Sequence, residues 1–397
     1  MDKSQPTFSD LELQGCRRVT RRQRFLDLLD EKVPWGAWAA RVEPFYPKAG
    51  GGRPPVPLGT MLRMYAVQVA FDLSDEGAED AVTDSRAVRA FVGCGESPDA
   101  TTLCKFRRLL EDNGLGRALF EELNASLEAE GLRMSTGTIV DATFVEAPSS
   151  TKNARRARDP EARSSKKGKN WHFGYKAHVG VDAEAGTVHT LRVTPANASD
   201  LSQAAALVRP GDTDVWADAG YVGVAGWLGG CASPSAEWHV ARRKGSVPGG
   251  ERPAESLLAS TRSRVEHAFH ALKDLLGFRK TRCRGLAKVE NRLYASLALA
   301  NALLAARAPR PQGPPACAAD PRHPRAALLG LLRAAAGAAS GPCGAPWPAR
   351  GLFCPAGTPR HPSSGSAPEP GCHLILVSLD RRMKGRRTRF PLFLACR

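Results

Sequence analysis

Residues 137–147 have the sequence GTIVDATFVEA, and this stretch decides the fold class. Its β-branched and apolar residues predict a buried β-strand. The strand carries Asp141 among apolar neighbours, where an ionised carboxylate is costly unless it is paired or bound to a metal. The alternative for this residue alone is a strand-end aspartate that caps a turn. The stretch therefore predicts a sheet and, at Asp141, a candidate functional carboxylate.

The same pattern returns in residues 212–223, DTDVWADAGYVG. An apolar strand again ends in a carboxylate, Asp218, and Gly220 is expected to permit a tight turn after it. Adjacent strand ends would bring Asp141 and Asp218 together as ligands for a hard cation such as Mg²⁺.

Residues 255–278 have a helical pattern that contains a third carboxylate. At about 100° per residue, Arg262, Glu266 and Lys273 fall within roughly 40° of one another. The helix would thus present Glu266 to the strand ends, flanked by two cations. The alternative is a surface helix held by i,i+4 ion pairs. An apolar stripe lies about 80° to the side and would pack on the sheet; it consists of Val265, Phe269, Leu272 and Leu276.

Further elements complete the order strand, hairpin, helix, strand, helix, which is expected of a mixed α/β sheet. The hairpin is indicated by apolar–polar alternation on both sides of a turn. The helix before the second strand is expected to be capped by Ser199 or Asp200. The predicted ranges are 173–182 and 187–197 for the hairpin, 200–208 and 289–308 for helices, and 237–245 for a further strand.

The chain before this α/β region is predicted to be helical over residues 21–133. Ser74 and Asp99 are expected to be N-cap residues of two of the helices. Short helices, tight turns and a basic final helix over residues 100–112 suggest a helix-turn-helix DNA-binding arrangement. An ordinary amphipathic helix with a solvated face explains the basic residues equally well. Those residues are Lys105, Arg107 and Arg108.

Residues 150–170 are polar and strongly basic without periodicity, which predicts a flexible loop. Its basic residues would follow a phosphate backbone or form a solvated loop. Trp171 and Tyr175 have the shape to stack on a base, but the sheet core is the preferred place for both. The neighbouring histidines match no strong zinc spacing, and we assign them packing or surface roles. They are His172, His178 and His189.

The composition limits the class of protein. The chain has 397 residues and a formal net charge of +16, which favours a polyanionic partner such as nucleic acid over a merely soluble basic protein. Ten cysteines occur without a CxxC pair, which argues against a zinc ribbon and against a compact disulfide framework. Reduced thiols, no apolar leader and no apolar run of bilayer length predict a cytoplasmic, nucleoid-associated protein.

Three regions follow from these patterns. We predict a helical DNA-binding domain over residues 1–133, a catalytic α/β domain over 134–308 and a low-complexity tail over 309–397. The tail is rich in Ala, Pro, Gly and Arg and is expected to be disordered or poorly packed. One hypothesis is that the tail is translated past, or out of frame with, the natural end of the gene.

Three carboxylates suit phosphoryl transfer for a physical reason. The reaction needs an activated oxygen nucleophile and stabilisation of charge on the phosphorane oxygens and the leaving group. Two Mg²⁺ ions about 4 Å apart supply both, and carboxylates are their natural ligands. Arg or Lys would neutralise the substrate backbone.

Five segments of the chain, taken in order, resemble bacterial insertion-sequence transposases of the insertion-sequence-five family, which are DDE transposases with a ribonuclease H-like fold. The resemblance runs from residue 33 to residue 307. A single segment is unspecific, whereas the set in this order is highly specific. The segments are residues 42–82 for the DNA-binding region, 137–153, 218–224 and 262–293 for the three catalytic motifs, and 171–190 for the hairpin after the first motif.

The resemblance implies that Asp141, Asp218 and Glu266 are the catalytic residues and hold two Mg²⁺ or Mn²⁺ ions. Arg262 and Lys273 match the Arg and Lys of the third motif and are expected to contact DNA. The implied partners are double-stranded DNA, as terminal inverted repeats and as target, and a second copy of the chain in a homodimer. The implied reaction has two steps. Water attacks a phosphodiester at the element end, and the freed 3′-hydroxyl then attacks target DNA.

Two departures from the family pattern keep alternatives open. The tyrosine of the third motif falls at Ala259, and the stretch between Asp218 and Glu266 is short. A decayed transposase that only binds element ends would fit these departures. A host nuclease on the same fold, which cleaves without strand transfer, is a further alternative.

Overall fold

The computed structural model describes residues 19–48, 50, 54–132, 135–152, 156–224, 236–242 and 252–307. In these residues a set of helices leads into a mixed β-sheet, against which further helices pack. The predictions for the tail, residues 309–397, lie outside the described residues. So do residues 225–235 and 243–251, which belong to the stretch that departs from the family pattern.

The chain before the sheet is helical, as predicted. Ser74 acts as an N-cap, since its Oγ accepts a hydrogen bond of 3.0 Å from the Gly77 amide. Asp99 does the same through a 2.6 Å hydrogen bond from the Thr102 amide. The helices are α1 (Arg21–Lys32), α2 (Trp35–Val42), α3 (Leu58–Ala70), α4 (Asp75–Asp84), α5 (Arg86–Val92), α6 (Ala100–Asp112) and α7 (Leu115–Ala129).

The sheet has the strand order β2-β3-β1-β5-β6, and β4 pairs with β3 on the same side as β2. Strand β3 is antiparallel to β1, β2 and β4, as the predicted hairpin requires, whereas β5 is parallel to both β1 and β6. The mixed α/β pattern is therefore confirmed. The strands are β1 (Gly137–Glu146), β2 (Arg163–Lys167), β3 (Asn170–Asp182), β4 (Val188–Pro195), β5 (Asp214–Ala217) and β6 (Glu237–Val240).

Strand β2 corrects the prediction of a loop over residues 150–170. It pairs with the start of β3 from Arg163 opposite Gly174 to Lys167 opposite Asn170, and Gly168 takes a φ of +62° at the turn. All five side chains of β2 are exposed or half-exposed. Because no face of β2 is buried, no apolar periodicity marks it in the sequence.

A short helical segment joins β4 to β5. A 3₁₀ turn over Leu201–Gln203 leads into α8 (Ala204–Leu207), and no side-chain cap bond forms at its start. The prediction of a cap by Ser199 or Asp200 is therefore wrong. The Asp200 carboxylate instead accepts a 3.0 Å hydrogen bond from Lys176 Nζ, because an ionised partner binds a carboxylate more strongly than a backbone amide does.

The predicted helix over residues 255–278 is not continuous. Helix α9 (Arg252–Arg262) ends before Ser263, α10 (Arg264–His270) follows, and the chain then widens into a π-turn over Ala271–Leu275. The apolar stripe is nevertheless confirmed. Its members Val265, Leu272 and Leu276 are buried and Phe269 is half-buried.

Helix α11 (Leu286–Ala305) joins the helical region to the sheet. It packs against α7, β4 and α3, and the buried apolar residues of these elements form one continuous core. Asn291 accepts a 2.7 Å hydrogen bond from the Gly116 amide of α7. Asn301 accepts a 2.9 Å bond from the Val188 amide of β4 and donates a 2.7 Å bond to Asn124 Oδ1 of α7. These hydrogen bonds fix the position of α11 relative to α7 and β4.

Across the described residues, none of the helices combines the length and the apolar character needed to span a bilayer.

Gly116→Ala should destabilise the fold, because a Cβ at residue 116 would lie 2.5 Å from the backbone carbonyl oxygen of Asn291. We expect a loss of about 1–3 kcal/mol in the free energy of unfolding, the usual effect of overpacking. Urea denaturation would measure it. Gly59→Ala on α3 is the matched control, since nothing lies within 4 Å of its Cβ position. Equal stability of the two variants would contradict the close packing of α7 on α11.

Candidate active site

The register of two parallel strands brings two carboxylates side by side. Val140 of β1 pairs with Ala217 of β5, and Asp141 and Asp218 are the next residues on the two strands. Adjacent strands lie about 4.8 Å apart, and side chains at matching positions point to the same face. Asp141 and Asp218 therefore occupy neighbouring positions. Asp218 directly follows the end of β5, whereas Asp141 lies in the middle of β1, so the expectation that both aspartates lie at strand ends is wrong for Asp141.

Asp218 begins the 3₁₀ turn Ala219–Tyr221 and caps it with its own side chain. Its Oδ1 accepts a 2.8 Å hydrogen bond from the Gly220 amide. The tight turn expected at Gly220 is present, although the backbone of this glycine is not left-handed. A Cβ at residue 220 would lie 2.8 Å from Asp218 Oδ1. Glycine is required there because it leaves room for the carboxylate.

Glu266 reaches the same place from a helix. Helix α10 packs on β1 through buried Val265 and Ala268, and this contact turns Glu266 toward the strand ends. Asp141, Asp218 and Glu266 line one cleft of about 540 Å³, together with Arg262 and Lys273. The break at Ser263 and the π-turn change the helical phase that the sequence predicted, yet all five predicted residues border this cleft.

Burial and crowding of negative charge dominate the electrostatics of the cleft. Burial raises the pKa of Asp141 to about 6, and the charges of Asp218 and Glu266 act in the same direction. The Ala142 amide and the guanidinium of Arg262 oppose this rise only in part. Three converging carboxylates with too little compensating charge fit a hard divalent cation, which prefers oxygen ligands.

The cleft that holds the carboxylates also has a basic wall. Lys167 of β2 and Arg279 line the cleft beside Lys273. Burial lowers the pKa of Lys273, and the charges of Lys167 and Arg279 lower it further. Arg279 is ion-paired with Asp274, which lines the same cleft, so part of its charge is already neutralised. The remaining positive charge is suited to a phosphate group. Sequence reasoning did not single out Lys167 or Arg279, although Lys167 belongs to the basic stretch and Arg279 to the third motif.

The other three predicted DNA contacts lie on α6, in the helical region. Lys105 and Arg108 are exposed. Arg107 is half-buried, and its guanidinium forms an ion pair of 2.6 Å with Asp75 of α4. It also lies 3.4 Å from Glu111. Arg107 therefore links α6 to α4, and the exposed cations of α6 are Lys105 and Arg108.

The histidines near the hairpin have packing roles, as predicted. His178 is buried and its Nε2 lies 2.8 Å from Thr194 Oγ1. His189 Nε2 lies 3.0 Å from Thr138 Oγ1. Burial lowers the pKa of both, to about 4 for His178 and to about 3 for His189. His172 stacks on Phe144 with ring centroids 4.9 Å apart.

The two aromatic residues of β3 have different positions. Tyr175 is buried, and its hydroxyl donates a 2.7 Å hydrogen bond to Asp159, which agrees with the predicted core position. Trp171 is 69% exposed, so its predicted core position is wrong. The physical reason is that β1 ends at Glu146, opposite Gly174. The first residues of β3, which include Trp171, therefore lie beyond the end of β1.

A second group of possible metal ligands lies at the other end of β5. It consists of Asp214, Glu237 and His239. Because β5 is four residues long, Asp214 is about 13 Å along the strand from Asp218. His239 Nε2 lies 2.9 Å from Asp214 Oδ1, and this hydrogen bond between β5 and β6 accounts for their proximity.

Comparisons with known proteins agree with these features. Residues 133–302 match the family described as "Transposase DDE domain", and residues 16–109 match that described as "Transposase domain". Together with the sheet, the first match confirms the predicted α/β fold with a ribonuclease H-like core.

Among solved structures, this chain is similar to a piggyBac transposase in a synaptic complex with hairpin DNA. It has 10% identity and a TM-score of 0.35 over 73% of this chain and 76% of that chain.

Gly220→Ala should displace the Asp218 carboxylate while leaving the fold intact, because the clashing atom is the free end of a side chain. We expect the free energy of unfolding to change by less than about 1 kcal/mol. Stabilisation by Mg²⁺ in a thermal melt should weaken roughly tenfold or more in apparent affinity. Gly211→Ala is the control, since nothing lies within 4 Å of its Cβ position. Unchanged Mg²⁺ affinity in Gly220→Ala would contradict the proposed requirement for glycine.

Asp141→Asn should stabilise the metal-free protein. Because the pKa of Asp141 is raised to about 6 in the fold, its ionisation lowers stability as the pH rises from about 4 to about 6. We expect the variant to gain about 1–3 kcal/mol near pH 7, with the gain disappearing toward pH 4. Denaturant titrations with EDTA at several pH values would measure it.

The same variant should no longer be stabilised by Mg²⁺, whereas the wild type should be. A wild type and variant of equal stability at neutral pH would show that the Asp141 carboxylate is not under electrostatic stress.

Proposed function

Because this chain belongs to the DDE transposases, we propose that it cleaves DNA at the ends of an insertion sequence and joins the freed ends to target DNA. One observation carries the proposal. Asp141, Asp218 and Glu266, from two strands and a helix, border one cleft that also has a basic wall. Assignment to the insertion-sequence-five family is part of the same proposal.

Asp141, Asp218 and Glu266 would hold two Mg²⁺ or Mn²⁺ ions. When bound, such ions activate an oxygen nucleophile and neutralise charge on the reacting phosphate. The protein contributes the fixed positions of the three carboxylates. Two of them come from strands whose register is set by backbone hydrogen bonds, and the Gly220 amide holds Asp218 in place.

The cations of the cleft would bind the DNA backbone. Arg262 lies beside Asp141 and lowers its pKa, which places positive charge close to the proposed scissile phosphate. Lys273, Lys167 and Arg279 extend this positive charge along the cleft. Charge-assisted hydrogen bonds from such groups to phosphate oxygens would position the phosphodiester over the carboxylates.

The proposed reaction has two balanced steps. In the first, a water oxygen bonds to phosphorus as the bond to the 3′ oxygen breaks, and the proton of the water ends on that oxygen. The products are a 3′-hydroxyl and a 5′-phosphate. In the second, this hydroxyl forms a new ester with a phosphate of the target strand and displaces another 3′-hydroxyl.

The helical region would bind the duplex outside the cleft. Lys105 and Arg108 are exposed on α6 and would contact phosphates, while Arg107 would support them through its bond to Asp75. We assign DNA binding to residues 1–133 and catalysis to residues 134–308. Two element ends must be held together, so the active form would be a homodimer on double-stranded DNA, in the cytoplasm and associated with the nucleoid.

A second candidate function is DNA binding without cleavage, as in a decayed transposase. The observation in its favour is Ala259, which lies exposed on α9 one turn before Arg262, at the position of the family's tyrosine. Loss of that side chain leaves the three carboxylates in place and removes a potential contact to DNA.

Cleavage of end-labelled DNA that carries the sequences flanking the gene, with and without Mg²⁺, tests the proposal. Glu266→Ala should reduce metal-dependent nicking on the order of a hundredfold or more and leave DNA binding in a gel-shift assay intact. Glu128→Ala is the matched control, because Glu128 is exposed on α7 and distant from the cleft in the chain's topology.

Each outcome selects one function. Nicking that survives Glu266→Ala would contradict the site. Binding without nicking by the wild type would favour the decayed element. Nicking without joining to target DNA would identify a nuclease on the same fold.

A further inference from the structure

The hairpin formed by β2 and the start of β3 extends beyond the end of β1. Glu146, the last residue of β1, pairs with Gly174, so residues 170–173 of β3 lie past the end of β1. Those residues pair with β2, and Gly168 and Lys169 form the tip. We call residues 163–174 the β2–β3 hairpin.

The hairpin carries an exposed indole among cations. Trp171 is 69% exposed and lies directly opposite Lys166 on the neighbouring strand. Side chains at opposed positions share one face of a sheet, so Lys166 and Trp171 lie on the same face of the hairpin. Three further exposed cations belong to the hairpin: Arg163, Lys167 and Lys169.

The hairpin also borders the candidate active site. Lys167, at the end of β2, is part of the cleft wall. Trp171 shares a face of β3 with Val179 by the alternation of strand side chains, and Val179 pairs with Asp141. Trp171 and Asp141 therefore occupy positions on the same face of the sheet, whereas Lys167, which pairs with Asn170, lies on the other face of the hairpin.

The hairpin is held rigidly on its opposite face. His172 stacks on Phe144 of β1 with ring centroids 4.9 Å apart, and the ammonium of Lys176 lies 5.4 Å from the same ring. On the face that Trp171 occupies, the guanidinium of Arg158 covers the ring of Phe173 at 5.6 Å. Trp171 is thus presented on a fixed support, which reduces the entropy lost when a ligand binds it.

We propose that the β2–β3 hairpin binds the DNA strand at the edge of the cleft and that Trp171 stacks on an unpaired base of that strand. A flat indole flanked by cations is the combination that binds single-stranded nucleic acid, with stacking on the base and charge on the backbone. In an intact duplex the base faces are already stacked, so an unpaired base at a cut end is the fitting ligand. This inference rests on the proposed function for the identity of the ligand as DNA.

Binding of fluorescent DNA, measured by anisotropy with EDTA present, tests the inference without cleavage. The probes are a short blunt duplex and the same duplex with a single-stranded 3′ extension that contains 2-aminopurine. The wild type should prefer the extended DNA and quench the 2-aminopurine. Trp171→Ala should weaken binding of the extended DNA by about 5- to 100-fold, with little effect on the blunt duplex.

Two conservative variants separate stacking from apolar contact. Trp171→Phe keeps an aromatic face and should retain most of the preference for the extended DNA. Trp171→Leu keeps apolar area without that face and should behave like Trp171→Ala. Because the side chain is exposed, all three variants should melt at the wild-type temperature.

The contradicting outcomes are distinct from those of the proposed function. A wild type that binds neither DNA would contradict the proposed function itself. A wild type that binds and nicks DNA, while Trp171→Ala keeps the preference and the quenching, would overturn only the hairpin inference. Retention of the preference by Trp171→Leu would overturn it as well, because apolar contact without an aromatic face would then be sufficient.

Discussion

The register between β1 and β5 is the constraint on which the candidate site depends. Backbone hydrogen bonds set Val140 opposite Ala217, and the next residue on each strand is a carboxylate. A slip of one residue would turn Asp141 to the other face of the sheet and would bury it among apolar side chains. The apolar residues before each aspartate therefore fill the core and also determine which face of the sheet the two carboxylates occupy.

This arrangement opposes stability. Two carboxylates on adjacent strands repel each other, and a third arrives on α10, which the buried side chains of Val265 and Ala268 hold against β1. The fold tolerates this repulsion because Val265 and Ala268 belong to the main core, which continues along α11 and the faces of α7 and β4 that pack on it. A cation in the cleft would relieve the repulsion, so ligand binding and folding would be coupled at this one place.

The sequence was sufficient where a pattern and its physical cause coincide. Ser74 and Asp99 are caps because short polar side chains satisfy free amides at helix starts, and β1 is a strand because its β-branched residues are buried. Prediction from the sequence was incomplete where tertiary contacts determine the secondary structure. Strand β2 has no buried face and is held by β3 alone, and the break at Ser263 depends on how α9 and α10 pack.

Single side chains were harder to place than elements. Arg107 lies on a basic helix, which suggested a contact to DNA. Its guanidinium is instead ion-paired with Asp75, a residue distant in sequence. Trp171 is an aromatic residue of the kind expected in the core. It lies outside the core because β1 ends before it can pair with that part of β3. For the candidate site, the sequence identified the three carboxylates, whereas the basic wall of Lys167 and Arg279 required the fold.

Helix α11 has a consequence for how such a gene can decay. It is among the last elements of the described chain, yet its asparagines anchor α7 and β4, so the N-terminal helices depend on residues translated long after them. A stop codon ahead of Leu286 would leave the apolar face of α7 uncovered, so the helical region would be impaired together with the sheet region. A truncated copy that keeps its N-terminal helices folded would therefore have to retain α11.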